Sequence, residues 1–205
     1  MKKTSFLFVF LLILTISPLC AQAVSLYDLG DHFWAQESVY RLAEKGIING
    51  TAPHYYSPES YVSKGELCAL LCRIFELDSS RMSSFPDVSE DSYYYGNIAA
   101  LKALGILEYE SDGNFHPDNP ITRESTMRIA GFLLDRLGFA EIPETSCIDN
   151  FADAHTLSGV NKEYAALLVS KGYILGDTSG NLNPGGYLTR AEIAVILDRL
   201  YTDLK

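Results

Sequence analysis

Three basic residues each stand one place after a hydroxyl: Lys64 after Ser63, Arg123 after Thr122 and Arg190 after Thr189. An apolar-periodic stretch follows each pair, so the hydroxyl reads as a helix N-cap and the cation as the first helical residue. A guanidinium beside the amides of a helix start suits a carboxylate, because its planar fork meets both oxygens. Lys64 brings the charge without the fork. On this reading the cap residues are occupied, while the cation has no structural task and projects outward. Aromatic rings add a second chemistry, since a ring can cover the flat C–H face of a sugar. Trp34 and Tyr93 occupy equivalent places for this, and the third such place holds only Gly159 or Val160.

Other chemistries find no support. His32, His54, His116 and His155 fall at unrelated positions, and none has metal-ligand spacing. There is no Gly-x-Ser-x-Gly elbow and no phosphate loop. Asp112-Gly113-Asn114 and the stretch from Asp177 to Asn181 have turn composition but lack the terminal glutamate of a calcium loop. The chain therefore reads as a binding protein, not an enzyme, with no metal and no cofactor.

The elements that position these residues repeat three times. Gly46, Gly105 and Gly172 lie 12 residues before Pro58, Pro117 and Pro184, and 17 before Ser63, Thr122 and Thr189. Two offsets kept across three copies mark an internal repeat. Before each glycine, apolar pairs three apart (Val39 and Leu42, Ile98 and Leu101, Ala165 and Leu168) give one face of a helix. The glycine suits the left-handed position that ends it. A second helix starts at the hydroxyl. Ser63 with Glu66 and Thr189 with Glu192 form capping boxes. Ser125 stands where the Thr122 box wants glutamate, which predicts a weaker cap, although Glu124 still suits the helix dipole. Asp28, Asp87 and Asp153 read as caps or turn formers ahead of the first helix.

One helix pair cannot bury its apolar face alone, whereas three can around a shared axis. The expected fold class is mainly α: three helix-loop-helix repeats packed as one pseudo-threefold helical domain. The repeats are read as 24–76, 85–140 and 148–205, with connectors from Asp78 to Ser84 and from Glu141 to Cys147.

The chain carries 16 basic and 26 acidic residues, net −10, and losing Lys2 and Lys3 takes it to −12. That balance argues against nucleic acid, which requires clustered cations. Residues 1–23 read as a secretory signal peptide: Lys2 and Lys3, an apolar run from Phe6 to Ile16, then Ala21-Gln22-Ala23. Lipidation at Cys20 is the weaker alternative. No other segment is long and apolar enough to span a membrane. Three cysteines remain, too odd a set for a disulfide framework. Cys68 and Cys72, one helical turn apart, read as small core side chains, with a bridge or metal pair as the alternative.

The repeated residues resemble the S-layer homology motif. Phe85-Pro86-Asp87-Val88 and Phe151-Ala152-Asp153-Ala154 resemble its opening, and Trp34-Ala35 its first helix start. Gly46-Ile47-Ile48-Asn49-Gly50 matches its turn, and Leu188-Thr189-Arg190-Ala191-Glu192 its second helix start. The resemblance implies a secreted protein of the bacterial cell wall. It would bind an anionic secondary cell-wall polysaccharide, often carrying a pyruvate ketal, in grooves between neighbouring repeats. The ketal would supply the carboxylate for Arg123, Arg190 and Lys64, with Trp34, Tyr93 and the loop glycines Gly50 and Gly176 completing the grooves. Repeat 2 departs from the pattern, with Tyr109 where the others have glycine. No repeat carries every feature, so a groove would be completed across repeats, and one or two working grooves are expected. With no domain-sized segment beside the repeats, the chain reads as an anchor without cargo. The rival is a surface-layer scaffold, in which Tyr55, Tyr56 and Tyr61 would suit contact with other surface proteins.

Overall fold

Each repeat is built from the signals just described. In the computed structural model, residues 26–78, 83–108, 110–157 and 159–205 are described. The expected leader at 1–23, part of the first connector and Tyr109 lie outside the described residues. The first helices are α1 (Phe33–Glu44), α3 (Tyr95–Ala103) and α5 (Val160–Ser170). The second helices are α2 (Lys64–Ile74), α4 (Arg123–Arg136) and α6 (Arg190–Leu204). Three short 3-10 turns complete the regular structure, and among the described residues there are isolated bridges but no strand.

The first helices end as the glycines predict. Gly46, Gly105 and Gly172 have φ of 69°, 75° and 71°. Around Gly46, its amide donates to Ala43 O and that of Ile47 to Leu42 O, and the same pair of bonds recurs at Gly105 and Gly172. This is the Schellman arrangement, which satisfies carbonyls a helix end leaves open. The second helices start on Ser63, Thr122 and Thr189. The first and third carry complete capping boxes, and at Thr122 only the hydroxyl half is present.

The aspartates correct an expectation. None caps a helix: the first helices start at His32, Tyr94 and Gly159 without a side-chain cap bond. Asp28 instead accepts from the amides of Tyr56 and Ser57, Asp87 from Phe115 and His116, and Asp153 from Leu182 and Asn183. Ser57, His116 and Asn183 each precede a proline and each have positive φ, at 59°, 57° and 53°. That left-handed backbone costs a non-glycine residue roughly 1–2 kcal/mol. Two amides turned onto one carboxylate offset that cost. The aspartate is thus a clamp from the segment that opens each repeat onto the loop that leads to its second helix.

The repeats close into a ring. Around the central axis Val62 N donates to Leu188 O, Leu188 N to Ile121 O, and Ile121 N to Val62 O, at 3.0, 3.2 and 2.8 Å. All three residues are buried. Outside this triangle α2 packs on α3, α4 on α5 and α6 on α1, so each second helix joins the next repeat and the last returns to the first. The seams differ in chemistry. At the first, a Cβ on Gly65 would lie 2.8 Å from the Tyr94 ring, and at the second one on Gly131 would lie 2.6 Å from Tyr164 Cβ. At the third, the buried Asp198 carboxylate accepts from Ser38 Oγ at 2.9 Å and pairs with Arg41. Cys68 and Cys72 are free thiols buried in α2. Burial pushes both thiols up, Cys72 to about 11.

Two outcomes follow from the clamps. Asp153→Ala should cost about 2 kcal/mol in urea unfolding, since two amides lose a charged acceptor. Asp87 is held below its ordinary pKa: burial pushes it up, but the amides of Phe115 and His116 outweigh that by favouring the charged form. Its contribution is therefore full above the unfolded carboxylate pKa and is lost as pH falls through the lower folded value. Asp87→Ala should flatten the fall in melting temperature between about pH 5 and pH 2.

Candidate carbohydrate-binding grooves

The helix starts do not offer free amides. Lys64, Arg123 and Arg190 donate their amides to Asn119 O, Gly186 O and Ser60 O. The next amides, of Gly65, Glu124 and Ala191, donate to Pro117 O, Pro184 O and Pro58 O. Each acceptor belongs to the loop of the following repeat, with repeat 3 returning to repeat 1. The third amide is taken by the cap hydroxyl. The expected anion site on bare helix amides is therefore filled by backbone.

The cations are not idle either, which corrects the expectation that they project outward. Arg190 donates Nε to Tyr56 O at 2.8 Å and Nη2 to Asn49 O at 2.7 Å, and its Nη1 lies 3.3 Å from Glu66 Oε1. Its guanidinium stands 4.6 Å above the centre of the Tyr56 ring, whose hydroxyl donates back to Arg190 O at 2.8 Å. Burial pushes the Tyr56 hydroxyl up to about 12. Arg123 donates to Leu182 O and Leu175 O in the repeat-3 loop. Burial draws its guanidinium below the ordinary value, against the opposing pull of Glu192 and Asp177. Lys64 donates to Phe115 O at 3.1 Å in the repeat-2 loop and pairs with Glu110. All three cations cross to the next repeat and hold its loop.

Those crossings border three cavities. The repeat-1 groove, about 400 Å³, is lined by Gly50, Tyr56, Glu66, Arg73, Tyr93 and Arg190. It brings residues of all three repeats together, with Gly50 from the first, Tyr93 from the second and Arg190 from the third. Tyr93 is 63% exposed at its rim. Arg73, an exposed cation on α2, donates to Ile47 O at 2.8 Å. The repeat-2 groove, about 460 Å³, holds Lys64, Glu108, Glu110, Phe115, Arg128 and Tyr164. The repeat-3 groove is about 200 Å³, with Arg123, Gly176, Asp177 and Glu192.

Trp34 lines none of these three cavities; it is half-exposed in the first turn of α1, 6.1 Å from the His32 ring. The two loop glycines are required by the fold itself. A Cβ on Gly50 would meet Tyr55 O at 2.6 Å, and one on Gly176 would meet the Phe151 ring at 2.2 Å. Sequence reasoning missed Arg73 and Arg128. A lone arginine late in an otherwise apolar helix was the signal for Arg73.

Comparison with known proteins agrees with this architecture. The S-layer homology domain pattern matches residues 27–68, 84–126 and 150–194. The chain belongs to the S-layer homology domain family. It is 32% identical over 81% of its length to the Surface-layer 125 kDa protein of Lysinibacillus sphaericus, covering 14% of that protein. It is 30% identical over 91% of its length to Exoglucanase XynX of Acetivibrio thermocellus, covering 17% of it. S-layer protein EA1 of Bacillus anthracis is 26% identical over 87% of this chain, which covers 20% of that protein. This chain thus spans only a small share of each relative's length. No helix among the described residues is long and apolar enough to cross a membrane.

The geometry separates structural from exposed groove residues. Arg190→Ala removes two carbonyl contacts, an ion pair and a ring contact, and should lower unfolding stability by about 2–4 kcal/mol. Tyr93→Ala and Arg73→Gln should each stay within about 1 kcal/mol of the parent. Urea titrations of the three variants check the ordering.

Proposed function

We propose that this domain holds its protein to the bacterial cell wall by binding an anionic wall polysaccharide, without a covalent bond. The leader at residues 1–23 would export it. The observation that carries the reading is the repeat-1 groove, where an exposed cation, a second held arginine and an exposed tyrosine ring meet in one cavity. A carboxylate such as a pyruvate ketal would lie against Arg73, with the edge of Arg190 deeper in the groove. The sugar ring bearing it would lie on Tyr93. The domain relatives sit in surface-layer proteins and in an exoglucanase, and one shared tether for different partners supports an anchoring role.

A surface-layer scaffold is the second reading, favoured by one feature. Tyr61 and Tyr187 lie 5.6 Å apart beside the central axis and are 58% and 52% exposed. Such rings suit a protein contact.

Co-sedimentation with protein-stripped cell walls, before and after chemical removal of the secondary polymer, separates the two. Binding should depend on the polymer and fall at least about tenfold in Tyr93→Ala/Arg73→Gln, on the scale of a lost charge-assisted contact. Binding that survives both polymer removal and the double variant would reject the glycan reading. No sedimentation of the parent with protein-stripped wall, together with self-association that is lost in Tyr61→Ala/Tyr187→Ala, would favour the scaffold.

A further inference from the structure

The three grooves share one backbone plan but not one electrostatic balance. The repeat-1 groove is lined by two cations, Arg73 and Arg190, against one carboxylate, Glu66. In the repeat-2 groove Lys64 and Arg128 face Glu108 and Glu110. In the repeat-3 groove Arg123 faces Asp177 and Glu192. One loop position accounts for much of this difference. Five residues after the helix-ending glycine stand Thr51, Glu110 and Asp177. Thr51 is neutral, and its hydroxyl is 2.7 Å from Ser57 Oγ. Asp177 is turned into its own loop, accepting from the amides of Ser179 and Asn181. Only Glu110 reaches the cation that enters from the neighbouring repeat.

We infer that Glu110 is an internal substitute for a ligand carboxylate: its side chain occupies Lys64 and silences the repeat-2 groove toward anionic sugars. This rests on the reading of the grooves as carboxylate sites. Lys64 is a flexible point charge that is mostly buried, with 16% of its side chain exposed. It already donates to Phe115 O and stands 5.7 Å from the centre of the Phe115 ring. With Glu110 added, the ammonium is spent within the protein. An incoming carboxylate would have to displace a tethered one and would also meet its negative charge. Glu110 is held in place by its loop, because its amide donates to Asn114 O at 2.7 Å and its carbonyl accepts from Gly113 N at 2.9 Å. In the same loop His116 Nε2 lies 2.8 Å from Asp112 Oδ2 and 4.0 Å from Glu110 Oε2. Apart from its electrostatics the groove is as roomy as that of repeat 1, so charge and not space closes it.

Amide chemical-shift titration with a methyl glycoside bearing a 4,6-pyruvate ketal tests this on the exported chain. The parent should shift around Asn49, Gly50 and Thr51 and leave Lys64, Phe115 and Asn161 unmoved. Glu110→Gln should keep the first set and add the second, with affinity at the repeat-2 groove raised about tenfold or more. Lys64→Gln added to Glu110→Gln should abolish the gain. The spectrum itself reports whether each variant is folded. Repeat-1 shifts without new repeat-2 shifts in Glu110→Gln would overturn the inference and leave the anchoring reading intact. Equal shifts in both grooves of the parent would also overturn it. Repeat-2 shifts in Glu110→Gln with none in repeat 1 would support the inference and reject the repeat-1 groove as the site. No shifts in any variant would overturn both.

Discussion

Everything in this domain depends on the closed triangle of hydrogen bonds between Val62, Leu188 and Ile121. Each amide and carbonyl is buried and would be costly to leave unpaired. Three short segments, none able to form a sheet, satisfy one another only when all three are present. The helix starts extend the same logic outward. The first two amides of α2, α4 and α6 end on carbonyls of the next repeat's loop, and the cation at that start follows them in. A repeat is therefore incomplete alone: its loop is held by the helix start before it, and its own helix start holds the loop after it.

This constraint redistributes roles that a single repeat suggests. A lysine or arginine at the first helical position looks free when one helix is considered by itself. In the ring it is a strut between repeats. Arg190 is half of a reciprocal lock with Tyr56, ring against guanidinium and hydroxyl against carbonyl. In the other two repeats the Tyr56 position holds Phe115 and Leu182. The hydroxyl contact to the helix start is then absent at both, and the ring contact survives only at Phe115. The repeat-1 crossing is consequently the most elaborate of the three.

Much of the fold was legible in the sequence. Fixed offsets, the glycine ends and the capping boxes place six helices and their inward faces, because these signals are local. The aspartates were recognised as recurrent but assigned to the wrong partner. A carboxylate 28 to 30 residues before the amides that donate to it gives no local sign of the loop it clamps, and only the recurrence itself hinted at it. The ninth residue after each second-helix cap shows a further limit. Cys72, Gly131 and Asp198 share that position. They serve three different seams: a thiol donating to Asn97 O, a close pass against Tyr164, and a buried carboxylate shared by Ser38 and Arg41. An apolar pattern cannot foresee such a split, because each choice is fixed by the facing helix.

The same asymmetry would let a ring of three similar grooves carry unequal function. The backbone plan is repeated because the triangle demands it, and every repeat must supply a loop, a clamp and a crossing cation. Groove chemistry is under no such demand. Once the cation is anchored on loop carbonyls, the loop position five residues after the turn is free to vary, and here it holds Thr51, Glu110 and Asp177. A neutral residue there leaves the lining of the repeat-1 groove net positive within an acidic protein. Glutamate at the same position completes the coordination of Lys64 from within. Closure of the ring needs all three crossings, whereas recognition of an anion needs only one groove in which the crossing cation is not fully answered by the protein's own carboxylates.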